Sequence, residues 1–151
     1  LSDSCVFILL FSCKSMINVP STISYDFVNP EGINQVHVGD FQKIELFDND
    51  YLLVMPAFFR KFNELNNSLI VTVRLPKKFG LTKHVSVRSK NFGDVPAIKT
   101  ETASWPSEFD EVFFIKKINS VQSQVELDAI TNDTIEVKIG DNTSFLFSLN
   151  H

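Results

Sequence analysis

Residues 51–90 constrain what this chain can fold into more than any other stretch. Residues 69–75 alternate, with Leu69, Val71, Val73 and Leu75 on one face of an extended chain and Ile70, Thr72 and Arg74 on the other. Pro76, Lys77, Lys78, Phe79 and Gly80 read as a turn, and residues 84–88 resume the alternation as a partner strand. In that strand Val85 and Val87 face one way, while His84, Ser86, Arg88 and Lys90 face the other. Upstream, the apolar run of residues 51–55 ends at Pro56, which suits the first turn of a helix, where its missing N–H costs nothing. Phe58, Phe59, Phe62 and Leu65 follow at spacings that share one helical face, and Asn66 and Asn67 stop the run. A short helix plugging one end of a barrel or sandwich is the expectation.

The rest of the chain reads mostly as strand. Residues 22–28 alternate with period two and stop at a turn of Asn29, Pro30, Glu31 and Gly32. Residues 35–38 and 42–47 are short strands around Gly39 and Asp40, and Asp48, Asn49 and Asp50 form a tight polar turn. Asn91 to Asp94 is a turn, residues 95–100 a strand, and residues 104–109 a loop in which Trp105 reads as a core or lid aromatic. Residues 111–118 and 120–127 look strand-like. Residues 134–139 and 143–149, joined by Gly140, Asp141 and Asn142, make the clearest hairpin.

At 151 residues with 44% hydrophobic content, the chain has the mass of one ordinary domain and enough apolar surface for a core. Fifteen phenylalanines and many β-branched residues tilt that domain toward strand. Both cysteines, Cys5 and Cys13, lie near the start, so the folded body holds no disulfide framework or cysteine metal site. Met16 is the first methionine; residues 1–15 read as a leader, upstream read-through or an extension, with an apolar run too short to cross a bilayer. Residues 16–151 read as a single β-rich domain, and no membrane span is expected.

A formal net charge of −4 argues against a chain coated for nucleic acid or anionic membrane, yet charge is segregated along it. Arg74, Lys77, Lys78, Lys83, Arg88, Lys90 and Lys99 make up half of the 14 Lys and Arg residues, with Asp94 the one acid among them. From Glu101 to Asp141 the sign reverses, nine acids facing Lys116, Lys117 and Lys138. Signatures of catalysis are missing: no phosphate loop, nucleophile elbow or zinc-binding helix occurs. His37 beside Asp40, and Asp48 with Asp50, read as turns rather than as a base or cation ligands, and Glu108, Asp110 and Glu111 read as an acidic loop. Neither a reaction, a cofactor nor a metal is expected.

Leu53, Val54, Met55 and Pro56, followed by Phe58, Phe59 and Phe62, resemble the apolar-x-Ile-Pro-x-x-Phe segment of the plant B-three DNA-binding domain, in particular its reproductive-meristem and vernalisation branch. Trp105 with Phe109 is similar to that family's Gly-Trp-x-x-Phe, and residues 130–137 to its Leu-x-x-Gly-Asp-x-Leu-x-Phe, over a total span of about residues 40–149. Ser104 and Asn132 stand where the family has glycine. The resemblance implies an open seven-stranded pseudobarrel that grips the major groove of duplex DNA with two arms, acts in transcription regulation and works in the nucleus. Its second arm maps onto Lys83, His84, Arg88 and Lys90; its first falls near residues 39–47, where Lys43 is opposed by Asp40 and Glu45.

Taken together, the expected fold is mainly β, an antiparallel open barrel (pseudobarrel) or a β-sandwich with one or two short helices. The expected function is non-enzymatic binding, most specifically of DNA through Lys83, His84, Arg88 and Lys90. The alternative is a β-sandwich or jelly-roll serving as a structural, capsid-like or protein-interaction module, its partner another protein or a second copy of itself. The plainest reading of the basic face of residues 84–90 is a solvated outer sheet face, with a ligand-facing surface as the other.

Overall fold

The computed structural model describes residues 13–20, 35–38, 41–46, 49–60, 68–80, 84–118, 124–141 and 143–150. Eleven strands and one helix are present among them. The strands are β1 (Cys13–Pro20), β2 (Gln35–Val38), β3 (Gln42–Glu45), β4 (Tyr51–Arg60), β5 (Ser68–Pro76), β6 (Val85–Ser89), β7 (Gly93–Val95), β8 (Ala97–Thr102), β9 (Phe109–Lys117), β10 (Thr134–Ile139) and β11 (Thr143–Asn150). The helix is α1 (Gln124–Thr131), and a 3-10 turn, Lys77–Phe79, follows β5.

They form two sheets, ordered β1-β11-β10-β6-β7 and β2-β4-β5-β9-β8, with β3 also paired to β4. All pairings are antiparallel except that of β1 with β11. Among the described residues neither sheet closes into a barrel. The fold is the mainly β, single-domain architecture expected.

One apolar core joins the sheets. Val85, Val87, Ile135, Val137 and Phe147 come from the first sheet and Leu52, Val54, Val71, Val73, Val112 and Phe114 from the second. These residues recur at period two, so each strand delivers alternate side chains to the shared core. Between β7 and β8 the chain leaves the first sheet for the second at Pro96, whose carbonyl accepts a hydrogen bond from the Ile115 N–H at 3.0 Å. A proline fits this corner because it has no N–H to leave unpaired.

Four expectations are corrected. Residues 57–60, expected to start a helix, continue β4, paired with β2 on one side and β5 on the other. The register against β5 shifts between Met55 and Phe58; Pro56 lies in that break, where a residue without an N–H costs the ladder nothing. Ladder bonds on both sides outweigh the local apolar spacing; residues 61–67 of the expected helix lie outside the described residues. Second, β5 and β6 are not partners: β5 pairs with β4 and β9, and β6 with β10 and β7. Alternation gives the direction of each side chain but carries no information about which strand lies alongside.

Third, residues 124–131, which overlap the end of an expected strand, form α1. Fourth, Trp105 is 66% exposed rather than a core or lid aromatic. The final hairpin agrees, β10 and β11 meeting in register from Thr134 opposite Ser148 to Ile139 opposite Thr143. Gly140 turns it at φ 65°, in the left-handed region that glycine enters freely.

Candidate nucleic-acid interface

In β6 the buried residues Val85, Val87 and Ser89 alternate with exposed Ser86 and Arg88. His84 just before the strand and Lys90 just after it are exposed as well. Three of the four nominated residues therefore lie along one exposed track, and Lys83 lies outside the described residues. An open hollow of about 350 Å³ lies beside the track, lined by Arg88, Lys90, Thr134, Glu136 and Leu146. On the neighbouring strand Lys138 is exposed and stands opposite Ser86.

Acids stand among these cations. Arg88 Nη1 lies 3.2 Å from Asp94 Oδ1 across the β6–β7 pair, the two side chains 65% and 85% exposed. On its other side Arg88 stands opposite Glu136 of β10. Lys90 has no ion-pair partner among the described residues. In the expected first arm, Lys43 Nζ is 3.5 Å from Glu45 and 4.7 Å from the centre of the Tyr51 ring. Its charge is already engaged.

A buried carboxylate holds the basic end of β6 in place. Asp133, directly before β10, accepts hydrogen bonds from Ser89 Oγ, from the Asn91 N–H at 3.1 Å and from the Thr134 N–H at 2.8 Å. Ser89 Oγ in turn accepts from the Phe92 N–H at 2.9 Å, and Asn91 Nδ2 donates to the Ala129 carbonyl of α1 at 2.7 Å. The turn from Lys90 to Phe92 is thereby fixed to the residue before β10 and to α1. Gly93 follows it at φ 82°, a residue in the left-handed region closing a three-residue hairpin loop. Burial pushes the Asp133 carboxyl above its ordinary pKa of 3.8, against the opposing pull of its hydrogen bonds from Ser89 and the backbone.

The remaining basic residues of the segment are taken up by structure. Arg74 Nε donates to Glu111 Oε2, its Nη1 donates to the Trp105 carbonyl at 2.8 Å, and its guanidinium carbon sits 4.1 Å from the centre of the Phe41 ring. Lys77 Nζ donates to Thr102 Oγ1 at 2.7 Å and lies 3.4 Å from Asp110. Lys78 Nζ lies 2.9 Å from Asp50, and Lys99 Nζ 2.8 Å from Glu101. Folding brings the acids of the second half of the chain onto the cations of the middle.

Sequence reasoning missed the Ser89–Asp133 anchor and the acids beside Arg88. Asp133 was visible only as part of the motif at residues 130–137, with nothing local to say that Ser89 would meet it. Glu136 and Lys138 belong to the expected hairpin, but nothing local marks them as neighbours of β6. Asp50 belongs to a turn, as expected, with Asn49 at φ 63° and the Leu46 N–H bonded to the Asp50 carbonyl at 2.8 Å. Among the described residues no three His, Cys, Asp or Glu side chains gather as a metal site, and no helix is long and apolar enough to cross a membrane. Comparison with protein-family models, with curated proteins and with solved structures finds no match.

Proposed function

We propose that this chain is a non-enzymatic β-rich binding domain of the B-three kind, which contacts the phosphates of duplex DNA through His84, Arg88 and Lys90. The observation that carries the reading is the exposed track of these three residues, with Lys138 on the adjacent strand, fixed from beneath by Asp133. A row of Arg88, Lys90 and Lys138 on a sheet face, with His84 as a further polar contact, matches the repeating charge of a nucleic-acid backbone better than it matches a single small anion. The non-enzymatic part rests on where the ionisable groups go: Arg74, Lys77, Asp110, Glu111 and Asp133 are held in ion pairs or in hydrogen bonds between strands. In this reading the chain regulates transcription in a nucleus.

Asp94 and Glu136 reduce the field at Arg88, so binding is weak and the number of neutralised phosphates small. With Arg88, Lys90 and Lys138 engaged, the logarithm of affinity falls with the logarithm of salt at a slope of about −3. The test is retention of random duplex DNA across a salt series. Arg88→Ala and Lys90→Ala weaken it and flatten the slope; Asp94→Asn, which frees Arg88, strengthens it. No retention at low salt, or indifference to all three substitutions, rejects the reading.

A further inference from the structure

We infer that the outer edge of β8 is a self-recognition site, pairing antiparallel with β8 of a second copy about a two-fold axis through Thr100. This inference is independent of the DNA reading, since β8 and β6 belong to different sheets. β8 ends the order of its sheet, pairing among the described residues with β9 alone, and all six of its residues are exposed. An open edge of this kind is a template for a further strand, one that proteins ordinarily block or use.

The hydrogen-bonding phase of the edge follows from its ladder. The Ala103 N–H donates to the Phe109 carbonyl at 2.9 Å, so Ala103 turns its backbone groups toward β9. The pairing runs on through Thr102 opposite Asp110, Glu101 opposite Glu111 and Thr100 opposite Val112. Because direction alternates along an antiparallel strand, Glu101 also faces β9, while the N–H and C=O of Thr100 and Thr102 point outward. Thr100 is therefore able to form a doubly hydrogen-bonded pair with its own copy on the axis.

The side chains fit the same axis. With Thr100 opposite Thr100, Lys99 stands opposite Glu101 of the second copy and Glu101 opposite Lys99, in the closely spaced, non-hydrogen-bonded positions where cross-strand side chains interact best. Within one chain these residues already pair at 2.8 Å, so the dimer carries four charges of alternating sign. Ile98, 60% exposed, lies in the register shift just before Lys99, and exposed Trp105 follows shortly after the strand. An isologous contact of this kind closes at two copies. The register shift between Ala97 and Lys99 confines regular pairing to the residues after it, and Lys99 disfavours a strand without an acid opposite it; Glu101 of the second copy is that acid.

The pairing is tested by sedimentation velocity of the full chain over a concentration series. Wild-type protein shifts from monomer to dimer as concentration rises. Lys99→Glu, which sets acid against acid across the axis, and Glu101→Lys, which sets base against base, each abolish that shift. Mixing the two variants restores a dimer, because one copy then presents two acids and the other two lysines, so that both cross-strand pairs join opposite charges. A wild type that stays monomeric throughout, single variants that dimerise as well as wild type, or a mixture that stays monomeric overturns the inference. Circular dichroism of each variant, matching wild type, confirms that the loss lies in association.

Discussion

Arg74 and Arg88 belong to the same basic segment, and each meets a carboxylate on a neighbouring strand, yet the two pairs have opposite roles. Arg74 lies across β5 and β9 with Glu111, their side chains 16% and 9% exposed, and it also holds the Trp105 carbonyl and covers the Phe41 ring. Arg88 lies across β6 and β7 with Asp94 in nearly full contact with water. Water weakens a charge pair and makes its partners replaceable; removal from water makes each partner a requirement of the other. The first pair is therefore part of the scaffold, and the second leaves a cation available to something outside the molecule.

The largest effect expected from breaking this contrast is at Glu111. Glu111→Ala leaves the largely covered Arg74 guanidinium without its acid and lowers stability by about 3 kcal/mol, read from chemical denaturation. Replacing both partners, Arg74→Met with Glu111→Leu, costs much less than either single change, since no charge is then stranded. A double replacement as damaging as the single ones would show that the pair is not what holds these strands.

Asp133 comes next. Asp133→Ala strands the Ser89 hydroxyl and the Asn91 and Thr134 N–H groups and costs about 2–3 kcal/mol. Asp133→Asn retains an oxygen for both N–H groups, which share Asp133 Oδ1, and costs less. The pH dependence has a definite sign. Because the folded-state pKa is raised by burial above the ordinary 3.8, the folded protein holds this proton more tightly than the unfolded chain. The stabilisation this gives is complete below 3.8 and is lost as pH rises through the raised value. Stability of wild type relative to Asp133→Asn accordingly declines with rising pH across that window; a difference that stays flat or increases contradicts the burial.

The smallest effects on stability belong to the exposed pair. Arg88→Ala and Asp94→Asn each change unfolding free energy by less than about 1 kcal/mol. Their thermal midpoints stay close to wild type, which separates any change in DNA retention from a change in folding.

The same contrast marks what was legible in the sequence. Alternation placed Val85 and Val87 on one face and Arg88 on the other, and it identified the β10–β11 hairpin, whose register came only with the structure. It did not show that both faces of β5 are covered: Thr72 and Arg74 are largely out of water because β5 is flanked by β4 and β9 in the middle of its sheet. Position within a sheet is a tertiary property, and period two reports only local direction. For the same reason the segregation of charge along the chain did not translate into a basic region in space. Glu111 and Asp110 on β9 reach Arg74 and Lys77 on and after β5 through pairing that no local pattern encodes. The exposed residues of β6 were legible because their direction depends on alternation alone; their acidic neighbours were not, because β7 and β10 had to be placed first.

The central claim is that the Arg88–Lys90 end of the basic segment is available for a polyanion while Arg74 and Lys77 are engaged within the fold. Its most direct test is retention on duplex DNA across a salt series for wild type, Arg88→Ala, Lys90→Ala and Asp94→Asn, with Lys77→Ala as the structural comparison. The account predicts weaker retention for Arg88→Ala and Lys90→Ala, stronger retention for Asp94→Asn and little change for Lys77→Ala. Absence of salt-sensitive retention in wild type, or a loss at Lys77→Ala as large as at Arg88→Ala, contradicts it.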